Sequence, residues 1–185
     1  MNKSGNSLAK EARLFGNLQV LVITSLLVAL SVVFGKLLAV NITQSFRISF
    51  ENLPVLLAGI AFGPWIGAMT GMAADLIGCL VVGFAVNPII TFGAACVGLV
   101  SGAVSHFILV KRNQHSILLS VAAAHLIGSI LVKSIGIYLW YGTPLSALWL
   151  RVPIYLVTGT AEAYLILLLF QSRAINRYIE GVYRV

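Results

Sequence analysis

The chain has 185 residues, of which 59% are hydrophobic and only 9% charged. A soluble domain carries about 25% charged residues to cover its surface; this composition excludes one and makes lipid the expected solvent. In a soluble protein the formal net charge of +7 would suggest a nucleic-acid partner, but the basic residues here follow a membrane pattern and no nucleic acid is expected.

Residues 1–16 read as a polar lead, and the first apolar segment runs from Leu18 to Val40. That segment is too long for a cleaved signal peptide, and no small-residue cleavage site follows it. The polar stretch from Asn41 to Asn52 contains the alternation Arg47-Ile48-Ser49-Phe50, which suits a short extended segment. A short second helix is expected over residues 53–62, ended by the breaker pair Gly63-Pro64. A third is expected over 65–84, and Asn87-Pro88 marks a turn before a fourth over 89–110. A fifth is expected over 116–141, and after Gly142-Thr143-Pro144 a sixth over 147–170. A spanning helix takes about 20 residues, so six use nearly the whole chain. The expected fold class is an all-α integral membrane protein, a compact bundle of six transmembrane helices forming one domain over residues 1–185.

With six spans both termini share a side. That side would hold Lys3, Lys10, Arg13, Lys111, Arg112, Arg173, Arg177 and Arg184, eight of the twelve basic residues. Positive loops stay inside, so both termini are expected in the cytoplasm of a cell-membrane protein. Lys36, Arg47, Lys133 and Arg151 fall toward the other side, and topology does not account for them.

Charge within the membrane marks a functional site or an internal pair. Lys133, Arg151, Asp75 and Glu162 read either as internal salt bridges, such as Asp75 or Glu162 with Lys133, or as the lining of an outward pocket suited to an anion. Lys36 reads as snorkelling to the interface. Aromatic residues gather at the same level, among them Phe50, Phe92, Trp140 and Tyr155; they form an interfacial belt or the walls of a site for a flat ligand. Small residues recur at four-residue spacing, as Ala94, Gly98 and Gly102, as Gly67 and Gly71, and as Ala124 and Gly128, which suits close helix packing. His125 reads as a structural histidine; His106 and His115 read as solvated or interfacial. Cys79 and Cys96 stand singly without a CxxC, and no metal or cofactor is expected. No HExxH, GxSxG or GxxxxGK[ST] pattern occurs, so no catalytic residue and no ATP hydrolysis are expected of this chain.

The run Arg47-Ile48-Ser49-Phe50-Glu51-Asn52-Leu53-Pro54 leads into Phe62-Gly63-Pro64, then Gly67 to Gly71 and Asp75-Leu76-Ile77-Gly78. Together with Asn87 to Gly93, Lys133-Ser134-Ile135-Gly136 and Arg151-Val152-Pro153-Ile154-Tyr155, this resembles the substrate-binding S components of energy-coupling factor (ECF) vitamin transporters, and within them the folate family. The resemblance implies a subunit that binds one vitamin from outside and works with a transmembrane coupling subunit and two ATPase subunits. The family meets its coupling subunit through an AxxxA pattern on helix 1, where this chain has Ser25, Ala29 and Val33. With folate as cargo, Arg47, Lys133 and Arg151 are expected to hold its carboxylates. Asp75, Glu162 or Asn87 would hydrogen-bond the pterin, and Phe50, Phe92, Trp140 and Tyr155 would stack on it. Thiamine, riboflavin or pantothenate as cargo, and an intramembrane lipid enzyme, are the competing readings.

Overall fold

The computed structural model describes Leu14, residues 16–41, 47–108 and 114–173, and Arg177, Ile179 and Gly181. Lys3, Lys10, Arg13, Lys111, Arg112 and Arg184, on which most of the expected orientation rests, lie outside the described residues.

The first helix, α1 (Leu18–Leu37), opens on Asn17, whose side chain accepts from the Gln19 N–H. It meets the bundle along one stripe, Val20, Leu27 and Ser31, while Leu18, Leu21, Leu26 and Leu30 are exposed. That narrow stripe gives a peripheral helix with most of its surface for lipid. Its last turn is wound as a π-helix over Val33–Leu37. A two-rung antiparallel ladder follows, β1 (Val40–Asn41) against β2 (Arg47–Ile48), with Val40 opposite Ile48.

The second helix, α2 (Asn52–Phe62), is the centre of the bundle: nine of its 11 residues are buried, Leu56 and Ile60 completely. Gly63, at φ 107°, turns the chain, and Pro64 opens α3 (Pro64–Val82) at the position where its missing N–H has no helical partner to lose. Left-handed Gly83 ends α3. Asn87 and Pro88 start α4 (Pro88–Ile108). Then come α5 (Gln114–Tyr141), closed by left-handed Gly142, a single turn over Leu145–Leu148, and α6 (Arg151–Gln171). Residues His125–Val132 of α5 are π-wound.

Five of the apolar helices are long enough to cross a membrane, and the sixth, α2, is shorter. Their exposed faces are as apolar as their buried ones: Leu80, Leu118, Leu126 and Leu156 all point outward. Apolar faces gain nothing from burial when the solvent is lipid, so association depends on close packing. α2, α3 and α4 achieve it with glycine. A Cβ on Gly98 would collide with the Gly67 carbonyl, and one on Gly67 would lie 2.6 Å from the Gly59 Cα. The recurrent small residues of α3 and α4 thus face one another, and the two backbones touch.

Candidate functional site

A polar cleft of about 310 Å³, its mouth included, opens at the ladder end of the bundle. Ser31 and Lys36 of α1, Glu51 and Asn52 at the head of α2, Asp75 of α3 and Lys133 of α5 line it, with Gly71 and Ala94 as its floor. Each polar group is there for a local reason. Lys133 is 4% exposed, and its Nζ donates to Glu51 Oε1 at 3.1 Å and Asn52 Oδ1 at 3.3 Å. Glu51 is held from behind, its backbone carbonyl accepting from the Ser31 hydroxyl at 2.6 Å. Asp75 accepts from the Thr91 hydroxyl at 2.6 Å, which ties α3 to α4. Lys36 does not snorkel to the interface: its chain runs across Gly78, where an added Cβ would lie 2.6 Å from Lys36 Cε, and into the cleft.

A second polar group lies between α5 and α6. Arg151, 7% exposed, donates to the Ser129 carbonyl at 3.1 Å and the Tyr155 hydroxyl at 2.9 Å, and stands 5.3 Å from the Tyr155 ring centroid. The Tyr155 and His125 rings lie 5.5 Å apart. His125 Nε2 shares a hydrogen bond of 2.6 Å with Glu162 Oε2, and Glu162 is completely buried. Arg151 Nε, Ser129 Oγ, His125 Nδ1 and Glu162 Oε1 are buried without a partner among the described residues.

Of the residues expected at the site, the structure brings Lys133 and Asp75 together in the cleft, while Phe50, next to Glu51 in the chain, is 37% exposed and not part of its lining. Arg151, Tyr155 and Glu162 sit in the α5–α6 group. The partner of Lys133 is Glu51, where Asp75 or Glu162 was expected. Asn87 is buried and fully engaged: its Oδ1 accepts from the Ile89 and Ile90 N–H groups, and its Nδ2 donates to the Gly136 carbonyl. Phe92 and Trp140 are 63% and 53% exposed and line no part of the cleft. Arg47 lies in β2, its side chain outside the described part. His106, expected at the surface, is half-buried and donates to the Ile60 carbonyl near the end of α2.

Sequence reasoning assigned Lys36 to the interface, and weighed Glu51 and Asn52 as residues of the loop after the first helix. A signal for Glu51 was present: it directly precedes a buried apolar helix, where the helix dipole favours an acid. Among the described residues no group of His, Cys, Asp and Glu side chains could hold a metal ion.

A multi-pass membrane bundle with a polar cleft among its described helices is the architecture of a membrane-embedded binding subunit. The chain belongs to the family described as ECF transporter, substrate-specific component, whose profile matches residues 19–181. Three solved structures share its fold. The crystal structure of FolT bound with folic acid has a TM-score of 0.66 at 23% identity, covering 81% of this chain and 91% of that one. The S component of a bacterial ECF transporter has a TM-score of 0.64 at 20% identity over 86% and 97%. The S-component for biotin from an ECF-type ABC transporter has 0.63 at 16% identity over 90% and 89%. A curated relative, an uncharacterized protein of Mycoplasma pneumoniae, is 38% identical over 68 residues, 37% of this chain and 24% of that protein. The chain thus matches about a quarter of that relative's length. A substrate-specific component is a binding subunit and not an enzyme.

Proposed function

We propose that this chain binds folate from the outer face of the cell membrane and delivers it to an ECF module of one coupling subunit and two ATPase subunits. The observation that carries the reading is Lys133, a cation almost wholly buried yet aimed into an open polar cleft. Its ammonium is held there by Glu51 and Asn52, at a place in the cleft where a ligand carboxylate can join or replace a protein carboxylate on a buried cation. Among the similar structures the one bound with folic acid has a TM-score of 0.66 and the S-component for biotin 0.63, and the choice of folate rests on the first together with the cationic residues of this chain.

Lys133 holds a ligand carboxylate, with Arg47 on the ladder and Arg151 near the α5 wall adding positive potential. Asp75 accepts from the donor edge of the pterin, and Phe50 covers the mouth. Glu162, paired to His125, and Tyr155, bonded to Arg151, hold α6 against α5 outside the cleft lining, and Asn87 holds the head of α4 in place. The ladder end faces outward and both termini face the cytoplasm, as the excess of basic residues on that side favours.

Titration of the detergent-purified chain with folate, followed by tryptophan fluorescence, tests this. Saturable binding of folate over thiamine and riboflavin is the expected result. Lys133→Met should weaken it by about 2–5 kcal/mol, and unchanged affinity in that variant would remove Lys133 from the site.

A further inference from the structure

The Lys133–Glu51 pair is lopsided. The lysine side chain is 6% exposed and the glutamate side chain 22%. Both side chains line the cleft, Lys133 as the more buried partner and Glu51 as the more exposed one, where the ladder segment meets α2. Its carboxylate lies over Gly35, where an added Cβ would sit 2.8 Å from Oε2. The cleft also holds a second cation, Lys36, with no ion pair among the described residues. Two lysines and two carboxylates, Glu51 and Asp75, leave the described cleft with no formal charge in excess. Asp75 is bound to α4 through Thr91. Of the two acids, Glu51 is the one paired directly to Lys133, and it is the more exposed member of that pair.

Resting on the reading of the cleft as a vitamin site, we infer that Glu51 is a built-in counterion that holds on Lys133 the place of a ligand carboxylate. An anionic ligand takes Lys133 from Glu51 and reaches Lys36 as well. Glu51 turns to water, and Asn52 Oδ1 remains on Lys133 throughout. The exchange swaps one carboxylate for another, so the buried ammonium is never left bare. A ligand without a carboxylate cannot make it and meets a closed pair. Glu51 is in this way a specificity residue that selects for an acidic cargo.

The test is a binding panel on the full chain, wild type against Glu51→Gln, with folate, pantothenate and biotin as carboxylates and riboflavin and thiamine as ligands without one. Glutamine keeps the size and a neutral hydrogen bond to Lys133 but gives up the charge. The expected result is about tenfold tighter binding of the carboxylate cargo, roughly 1.4 kcal/mol, and loss of that gain in a Lys133→Met background. Weaker or unchanged binding of a carboxylate cargo by Glu51→Gln would overturn the inference while leaving the vitamin site standing. Pantothenate or biotin in place of folate, with the same gain, would overturn folate as cargo and sustain the role of Glu51. Wild-type binding of riboflavin or thiamine alone, or of nothing, would overturn both. A melting curve on each variant separates lost binding from lost folding.

Discussion

Where α3 meets α4, backbone lies against backbone: Gly67 and Gly98 leave no room for a methyl group between them. Where α5 meets α6, side chains do the holding, through Arg151, Tyr155, His125 and Glu162, and four buried polar atoms are left without a partner among the described residues. The first contact is dry and has one arrangement; any shift is a collision. The second is polar and incompletely satisfied, and buried polar groups of that kind find new partners when the helices move or water enters. The cleft lies between them, with a rigid wall from α3 and α4 and an adaptable one from α5.

The largest effect should come from the glycine contact. Gly98→Leu is expected to cost more than about 4 kcal/mol, seen as loss of the monodisperse peak in detergent; a folded variant of normal melting temperature would break the contrast. The polar contact should behave differently. His125→Leu strands the buried Glu162 carboxylate and should cost about 3 kcal/mol, whereas the double variant His125→Leu/Glu162→Leu should recover much of that loss. Thermal melts of the two variants check it, and a double variant worse than the single one would show that the pair stabilises the fold outright. The smallest effect belongs to the outer surface: Phe92→Leu should change stability by less than about 0.5 kcal/mol and leave folate titrations unchanged. A clear loss of binding in Phe92→Leu would place this exposed ring at the ligand.

Six helices and their breaks were legible from residue types, because Gly63 and Gly142 suit helix ends and Pro64 and Asn87-Pro88 suit helix starts. Rotation about each helix axis was not. Leu80 faces out and Leu56 faces in, yet both are leucine, and a lipid solvent removes the polar stripe that would tell the faces apart. This is why Phe92 and Trp140 were expected to face a ligand while the structure has them exposed and away from the cleft lining. Asn87 carried a readable sign, an asparagine before a proline that opens a helix, and its amide does cap α4. The Lys133–Glu51 pair joins residues 82 apart, and no local spacing announces such a partner. Lys36 was assigned to the interface by its position near a helix end; the bare Gly78 backbone that lets it turn inward lies on another helix.

The shortness of α2 acts as a depth gauge. α2 and α3 leave Gly63 side by side from nearly the same level, and α2 has 11 residues to the 19 of α3. At 1.5 Å per residue its head stops about 12 Å below the far end of its neighbour. The cleft is the vacant upper storey of that stack, and Glu51 and Asn52 line it because the helix ends there. Inserting two helical turns ahead of Asn52 would fill that storey to the rim, and a cargo would find a flush surface in place of a well.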